Sequence, residues 1–234
     1  MIVTIHQPEH LVWLGLIDKI SQADVFVVLD TVQFEKNYFQ NRNKIRTPYG
    51  DGWSWLTVPI KKHSLHTKIK DIEISYVDDW HLRYLDILRL HYKKAPHFDT
   101  YYGEIESRIL KKYLRLADLN LDILTFMLSS FGVEGKKIIL ASGMNLPEPD
   151  KGGSNTVLEI CKALDTEAYL SGPSGRDYLN LNEFKEVNVG VRFHEFHHPE
   201  YRQLFEPFLP YMSSIDLLFN HGKESKNILF HDKK

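Results

Sequence analysis

Cysteine is nearly absent from this chain, with Cys161 alone among 234 residues. A single thiol excludes an intramolecular disulfide framework and fits a reducing compartment. Cys161 lies beside Ile160 and Leu164 in a helix-like segment, so it reads as a buried structural thiol rather than a nucleophile. A surplus of charge is missing too. Lys and Arg total 29 against 31 Asp and Glu, and the formal net charge of -2 argues against bulk electrostatic binding of nucleic acid. No apolar run approaches the roughly 18 residues of a membrane span. The opening Met1-Ile2-Val3-Thr4-Ile5 lacks the charged region and apolar core of a secretion signal and reads as a strand. The expectation is a cytoplasmic protein that does not insert into membranes.

Several chemical signatures are absent as well. There is no GxSxG elbow and no cysteine–histidine signature, so covalent hydrolysis has little support. His194, His197 and His198 stand beside Glu195 and Glu200, but HExxH and paired-cysteine spacings are missing and no metal is assigned. Strand alternation would send His197 and His198 to opposite faces. Paired-carboxylate glycosidase chemistry has no positive signal.

What is present is an α/β pattern: a Rossmann-like, mainly parallel sheet flanked by helices, with an antiparallel hairpin and a helical insertion. At 43% hydrophobic the chain can bury a full core as one domain over 1–234, with a helical subdomain at about 78–133. Ile2–Ile5 is a strand stopped by Gln7-Pro8. Leu11, Leu14 and Ile17–Ile20 share one helical face, and Val25–Leu29 is an apolar run of the kind buried in parallel sheets. Strand, helix and strand at this spacing make a right-handed βαβ unit.

Lys44–Thr47 and Trp55–Pro59 flank a turn with Pro48, Gly50 and Gly52, the mark of a hairpin. Helical stripes follow: Trp80, Tyr84, Leu85, Leu88 and Tyr92; Ile105, Ile109 and Tyr113; then Leu121 to Phe131, stopped by Gly132. The α/β pattern resumes with strands at Lys137–Ala141, Ala168–Leu170 and Val189–Phe193. Gly152-Gly153-Ser154 opens a helix through Leu164, with Ser154 as an ordinary N-cap. Ser214–Asn220 forms a short helix closed by His221-Gly222, and Lys233-Lys234 reads as a frayed tail.

A ligand of an open parallel sheet binds beyond the carboxyl ends of its strands. His6 and Gln7 follow the first strand, and Asp30, Gln33 and Phe34 follow the second. Ser171, Gly172, Ser174, Gly175, Arg176, Asp177 and Tyr178 follow a third, where backbone N–H groups in a small-residue loop can cradle an anion. The alternative is that Asp30 caps a turn and His6 satisfies backbone groups. Arg42, between Asn41 and Asn43, either forks onto a phosphate or carboxylate or discourages edge pairing as Lys44 and Arg46 would. His197, Tyr201 and Gln203 suit a substrate-binding loop. Asp216 and Asn220, four apart on one helical face, point either at the site or at capping partners.

These residues resemble the WbqC-like family, bacterial proteins encoded among genes for O-antigen and other surface polysaccharides. The resemblance rests on His6-Gln7-Pro8, Trp13-Leu14-Gly15, Asp18-Lys19-Ile20, Ala23-Asp24-Val25-Phe26, Leu29-Asp30 with Gln33-Phe34, and Asn41-Arg42-Asn43. It continues through Leu56-Thr57-Val58-Pro59, Tyr169 to Gly175, Tyr201-Arg202-Gln203 and Ser214 to Asn220. It implies a sugar-modifying transferase or amide-forming ligase in surface-polysaccharide precursor synthesis, joining a glycyl or aminoacyl group to a nucleotide-linked amino sugar. The alternative is a non-catalytic binding protein for a glycan precursor.

Under the first reading His6 is the general base or a phosphate contact, Asp30 orients the attacking amine, and Arg42 holds an anion. Trp13, Phe34 and Tyr178 stack on a base or sugar, while Lys19, Asn41, Asn43 and Asn220 complete the substrate contacts. A weaker likeness runs to the opening of pantothenate synthetase and its nucleotidylyltransferase relatives, which implies adenylation and makes ATP the candidate cofactor. Here His6-x-x-x-His10 is one residue longer than the HxGH spacing of those enzymes.

Overall fold

A computed structural model describes residues 1–149 and 153–231. Gly152 of the expected helix start, and the Lys233-Lys234 tail, lie outside the described residues. In chain order the elements are β1 (Ile2–His6), α1 (Leu14–Ser21), β2 (Val25–Val28), β3 (Arg42–Arg46) and β4 (Trp53–Thr57). Three longer helices follow, α2 (Trp80–Tyr92), α3 (Phe98–Leu110) and α4 (Leu116–Ser130). Then come β5 (Lys137–Leu140), α5 (Ser154–Ala163), β6 (Ala168–Ser171), α6 (Gly175–Tyr178), α7 (Leu181–Glu186) and β7 (Gly190–Phe193). The chain closes with α8 (Ser214–His221) and α9 (Ser225–Phe230).

The chain divides into two compact units. The first comprises Met1–Pro8, Asp18–Val32 and Gly135–His197. It is a five-stranded parallel sheet in the order β5-β2-β1-β6-β7. Val3, Ile5, Val25 and Val27 on the central strands pack with Val157, Ile160 and Cys161 of α5 and with Phe184 of α7. The apolar runs are continuous because helices cover the sheet faces. Cys161 is fully buried and its thiol is pushed up to about 12 by desolvation, which suits a packing role.

The second unit comprises Glu9–Ile17, Gln33–Glu134 and His198–Lys234. β3 and β4 pair antiparallel from Arg42↔Thr57 to Arg46↔Trp53. α2, α3 and α4 bury Leu88, Tyr92, Ile105, Ile123 and Met127. α8 belongs here as well, and every residue from Ser214 to Asn220 is buried.

Four local expectations need correction. The first helix starts at Leu14, and Leu11 is instead a buried residue with φ of 44°. That conformation is costly for a residue with a Cβ, and the carbonyls of His10 and Leu11 are both held by Asn43 Nδ2 at 3.0 Å. Ser154 is the first helical residue and the cap is Gly153 at φ 77°, where glycine adopts the left-handed turn freely. The Ser154 hydroxyl accepts the Asn180 N–H at 2.9 Å instead. Tyr113 lies beyond the end of α3. Finally, β7 ends at Phe193 and no strand runs through His197 and His198, so the alternation expected of them does not arise.

Candidate functional site

In the sheet of the first unit, β1 leads through α1 to β2 on one side, whereas β6 leads through α6 and α7 to β7 on the other. The gap between β1 and β6 is therefore the topological switch point, where the outgoing connections diverge and where open α/β sheets generally bind their ligands. His6 ends β1 and Ser171 ends β6, and the parallel register sets Thr4 beside Leu170.

His6 is half-buried, and its Nδ1 lies 2.9 Å from the Gln7 carbonyl. A carbonyl only accepts, so Nδ1 carries the proton and Nε2 is the accepting nitrogen. Desolvation and the Lys19 ammonium push His6 down to about 3, so the ring is neutral near pH 7. Lys19 itself is 3% exposed and donates to the Ile5 carbonyl at 3.1 Å. A buried ammonium at the end of a parallel strand favours an anion nearby.

The loop after β6 is shaped by a close approach. A Cβ on Gly175 would fall 2.0 Å from Ser171 Oγ, so only glycine lets α6 start directly over β6. Ser174, Asp177 and Tyr178 are exposed around this turn, and Gly172 is half-buried. The Arg176 guanidinium lies 4.2 Å from the Phe193 ring centre and 3.7 Å from Glu195 Oε1.

Sequence analysis weighed His194, in the group that follows β7, only as a metal ligand. His194 is buried, its N–H donates to the Ser171 carbonyl at 2.8 Å, and its Nε2 lies 2.7 Å from Asp18 Oδ2. A carboxylate partner makes Nε2 the protonated nitrogen and leaves Nδ1 as the proton acceptor, the logic of an acid–base pair. The two residues stand 176 apart in the chain, so spacing could not reveal them. The two signals, His194 in the histidine cluster and Asp18 within Asp18-Lys19-Ile20, were noted separately.

Asp30 has a different duty. Its Oδ1 accepts the Ser142 N–H at 2.9 Å and its Oδ2 the Ser142 hydroxyl at 2.6 Å. The carboxylate thus clasps the turn that follows β5, close to the turn-capping alternative.

Apart from His197, the remaining candidates belong to the second unit. Gln33, Phe34, Asn41 and Arg42 line a cavity of about 850 Å³. The Asn41 amide donates to the Val58 carbonyl at 2.9 Å. Asn43 is fully buried, with its amide on His10 and Leu11 and its Oδ1 accepting the Lys44 N–H. The Trp13 ring folds back over Gly15, where a Cβ would fall 2.1 Å from it, which explains why glycine stands two residues after the tryptophan.

Tyr201 and Gln203 both donate to Asp216 Oδ2, at 2.9 and 2.8 Å, while Tyr92 donates to Oδ1 at 2.8 Å. Asn220 donates to the Asp216 carbonyl one turn back. Asp216 thus heads a buried hydrogen-bond network, and Asn220 bonds back within its own helix rather than toward a ligand. His197 is an exposed member of the first unit.

His10 is buried, with Nδ1 3.0 Å from Asn120 Oδ1 and Nε2 2.7 Å from the Tyr84 hydroxyl. The Asn120 amide nitrogen donates to Gln40, which fixes Oδ1 as acceptor. His10 therefore donates from Nδ1 and accepts at Nε2. With both nitrogens engaged inside the protein, it does not supply the second phosphate-binding histidine of an HxGH motif. Among the described residues, no three His, Cys, Asp or Glu side chains gather as they would around a metal ion, and no helix is long and apolar enough to cross a membrane.

The fold is that of an α/β protein built on a parallel sheet, with candidate groups gathered at the carboxyl ends of its strands. Residues 7–228 match the WbqC-like protein family, and the chain belongs to it. It is 31% identical over 234 residues to the uncharacterized protein Rv1507c of Mycobacterium tuberculosis, covering 97% of this chain and 96% of that one. No solved structure matches. The family points to a role connected with polysaccharide gene clusters.

Proposed function

We propose that this chain is a transferase or amide-forming ligase that attaches a glycyl or aminoacyl group to a nucleotide-linked amino sugar for surface-polysaccharide synthesis. The observation that carries the reading is the set of groups at the switch point: neutral His6, buried Lys19, and the Asp18–His194 pair beside the end of β6. Lys19 and the loop from Ser171 to Arg176 hold the anionic part of the substrate, with His6 Nε2 accepting a hydrogen bond from a substrate hydroxyl or amine beside them. A ring held down to about 3 has little drive to take a proton, so the base is His194. Its Nδ1 removes a proton from the sugar amine as the nitrogen attacks the activated acyl carbon. The donor's leaving group departs with the bonding electron pair, and Asp18 stabilises the imidazolium.

ATP–pyrophosphate exchange, with glycine and other small carboxylic acids added in turn, tests the ligase branch. Exchange stimulated by one acid supports adenylation and identifies the donor. Acyl transfer from a preactivated donor, without exchange, supports the transferase branch. His194→Asn should lower turnover about 10²–10⁴-fold, and full activity in that variant removes the base assignment. The binding-protein alternative is favoured by the occupied Asp30 carboxylate and the weak basicity of His6. Saturable nucleotide-sugar binding without turnover under either donor regime selects it.

A further inference from the structure

The cavity of the second unit is a chemically distinct place. Its wall is cationic although the chain as a whole is slightly acidic. Lys36, Arg42 and Lys62 line it and form no ion pair among the described residues, whereas Lys61 is taken by Glu73 at 2.7 Å. Glu35 is the one carboxylate in the lining. Arg42 is held in place before any ligand arrives: its guanidinium stacks 4.1 Å from the Trp55 ring centre and Nη2 donates to the Asn37 carbonyl. Its Nε–H is buried with no acceptor, so the exposed Nη groups are the ones open to a ligand. Behind these charges stands an apolar wall in which Phe34 meets the His63 ring edge-on at 5.2 Å.

We propose that this cavity binds a small phosphorylated ligand, with Arg42 and Lys62 on the phosphoryl oxygens and the Phe34–His63 wall against an attached ring. Three unpaired cations exceed what one carboxylate needs, and a rigid guanidinium suits the paired oxygens of a phosphoryl group. A volume of about 850 Å³ lies within the usual range of small-molecule sites. The site stands independently of the switch-point groups, which belong to the other unit.

Tryptophan emission supplies a local readout, because Trp13, Trp53, Trp55 and Trp80 all lie in the second unit. Titration of the whole chain with inorganic pyrophosphate should give a saturable change in emission, and uridine diphosphate should titrate at lower concentration. Arg42→Ala should weaken pyrophosphate about tenfold to a hundredfold. Because Arg42 also packs on Trp55, the exposed Lys62→Gln and Lys36→Gln serve as second variants, each costing about threefold. No saturable change, or Lys62→Gln and Arg42→Ala both titrating as the parent, would overturn the proposal.

Discussion

Buried His10 offers the sharpest quantitative test of how the second unit is held. Its environment lowers the imidazole from 6.5 to about 4, chiefly by desolvation. In the unfolded chain the ring protonates near pH 6.5, while in the folded chain it stays neutral down to about 4. Between these values the unfolded state binds the extra proton, so stability is fully present above pH 6.5 and is lost as pH falls. Each pH unit in that window costs about 1.4 kcal/mol, or about 3 kcal/mol over the whole interval.

His10→Gln keeps polar atoms near Tyr84 and Asn120 but cannot titrate. Its stability should therefore fall less steeply than that of the parent. Urea unfolding followed by tryptophan emission, at steps from pH 7.5 to 4.5, measures the slopes in the unit that contains His10. His91 and His198, both lowered by burial in the same unit, leave a residual slope in the variant. Identical slopes in parent and variant would refute the reasoning.

Other consequences follow from side chains already described. Asp216→Ala strands the Tyr92, Tyr201 and Gln203 donors in a buried site. It should cost about 3–5 kcal/mol in chemical denaturation, and a loss under about 1 kcal/mol would show that the network relaxes or admits water. Asn43→Ala frees the carbonyls of His10 and Leu11 and should destabilise by about 2–3 kcal/mol, with faster amide exchange around residues 9–13 as its signature. Gly175→Ala drives a methyl into Ser171. It should lower nucleotide-sugar affinity in equilibrium dialysis while the second unit's urea midpoint stays put, and unchanged affinity would separate this loop from the ligand.

The parallel sheet and the hairpin were legible because their signals are local. Val25–Val28 is a fully buried run, and Gly50 and Gly52 take the positive φ that the β3–β4 turn requires. Helix faces were legible for the same reason, down to Gly132 at φ 68° after α4. The candidate site was harder to read. Asn43, Tyr201 and Gln203 are the residue types that bind ligands, yet here their polar groups engage other protein groups. A sequence shows that an amide exists but not which carbonyl lies 3 Å away. The pairing of His194 was missed for the converse reason: its partner Asp18 lies 176 residues away in the chain.

The order of the sheet also bears on how the protein is made. β1 occupies the centre, but the neighbour on one side, β6, is synthesised some 166 residues later, the separation spanned by the Thr4 hydroxyl and the Leu170 carbonyl. At about 5–20 residues per second, the first strand waits roughly 10–30 s for that edge to be covered. During this interval a β-branched strand is open to pairing with other chains, and the slow, non-local closure of the sheet sets the pace of folding. The chain also passes between its two units five times, so no single cut releases either one intact. The cell would therefore have to protect the nascent first half rather than store it as a finished domain.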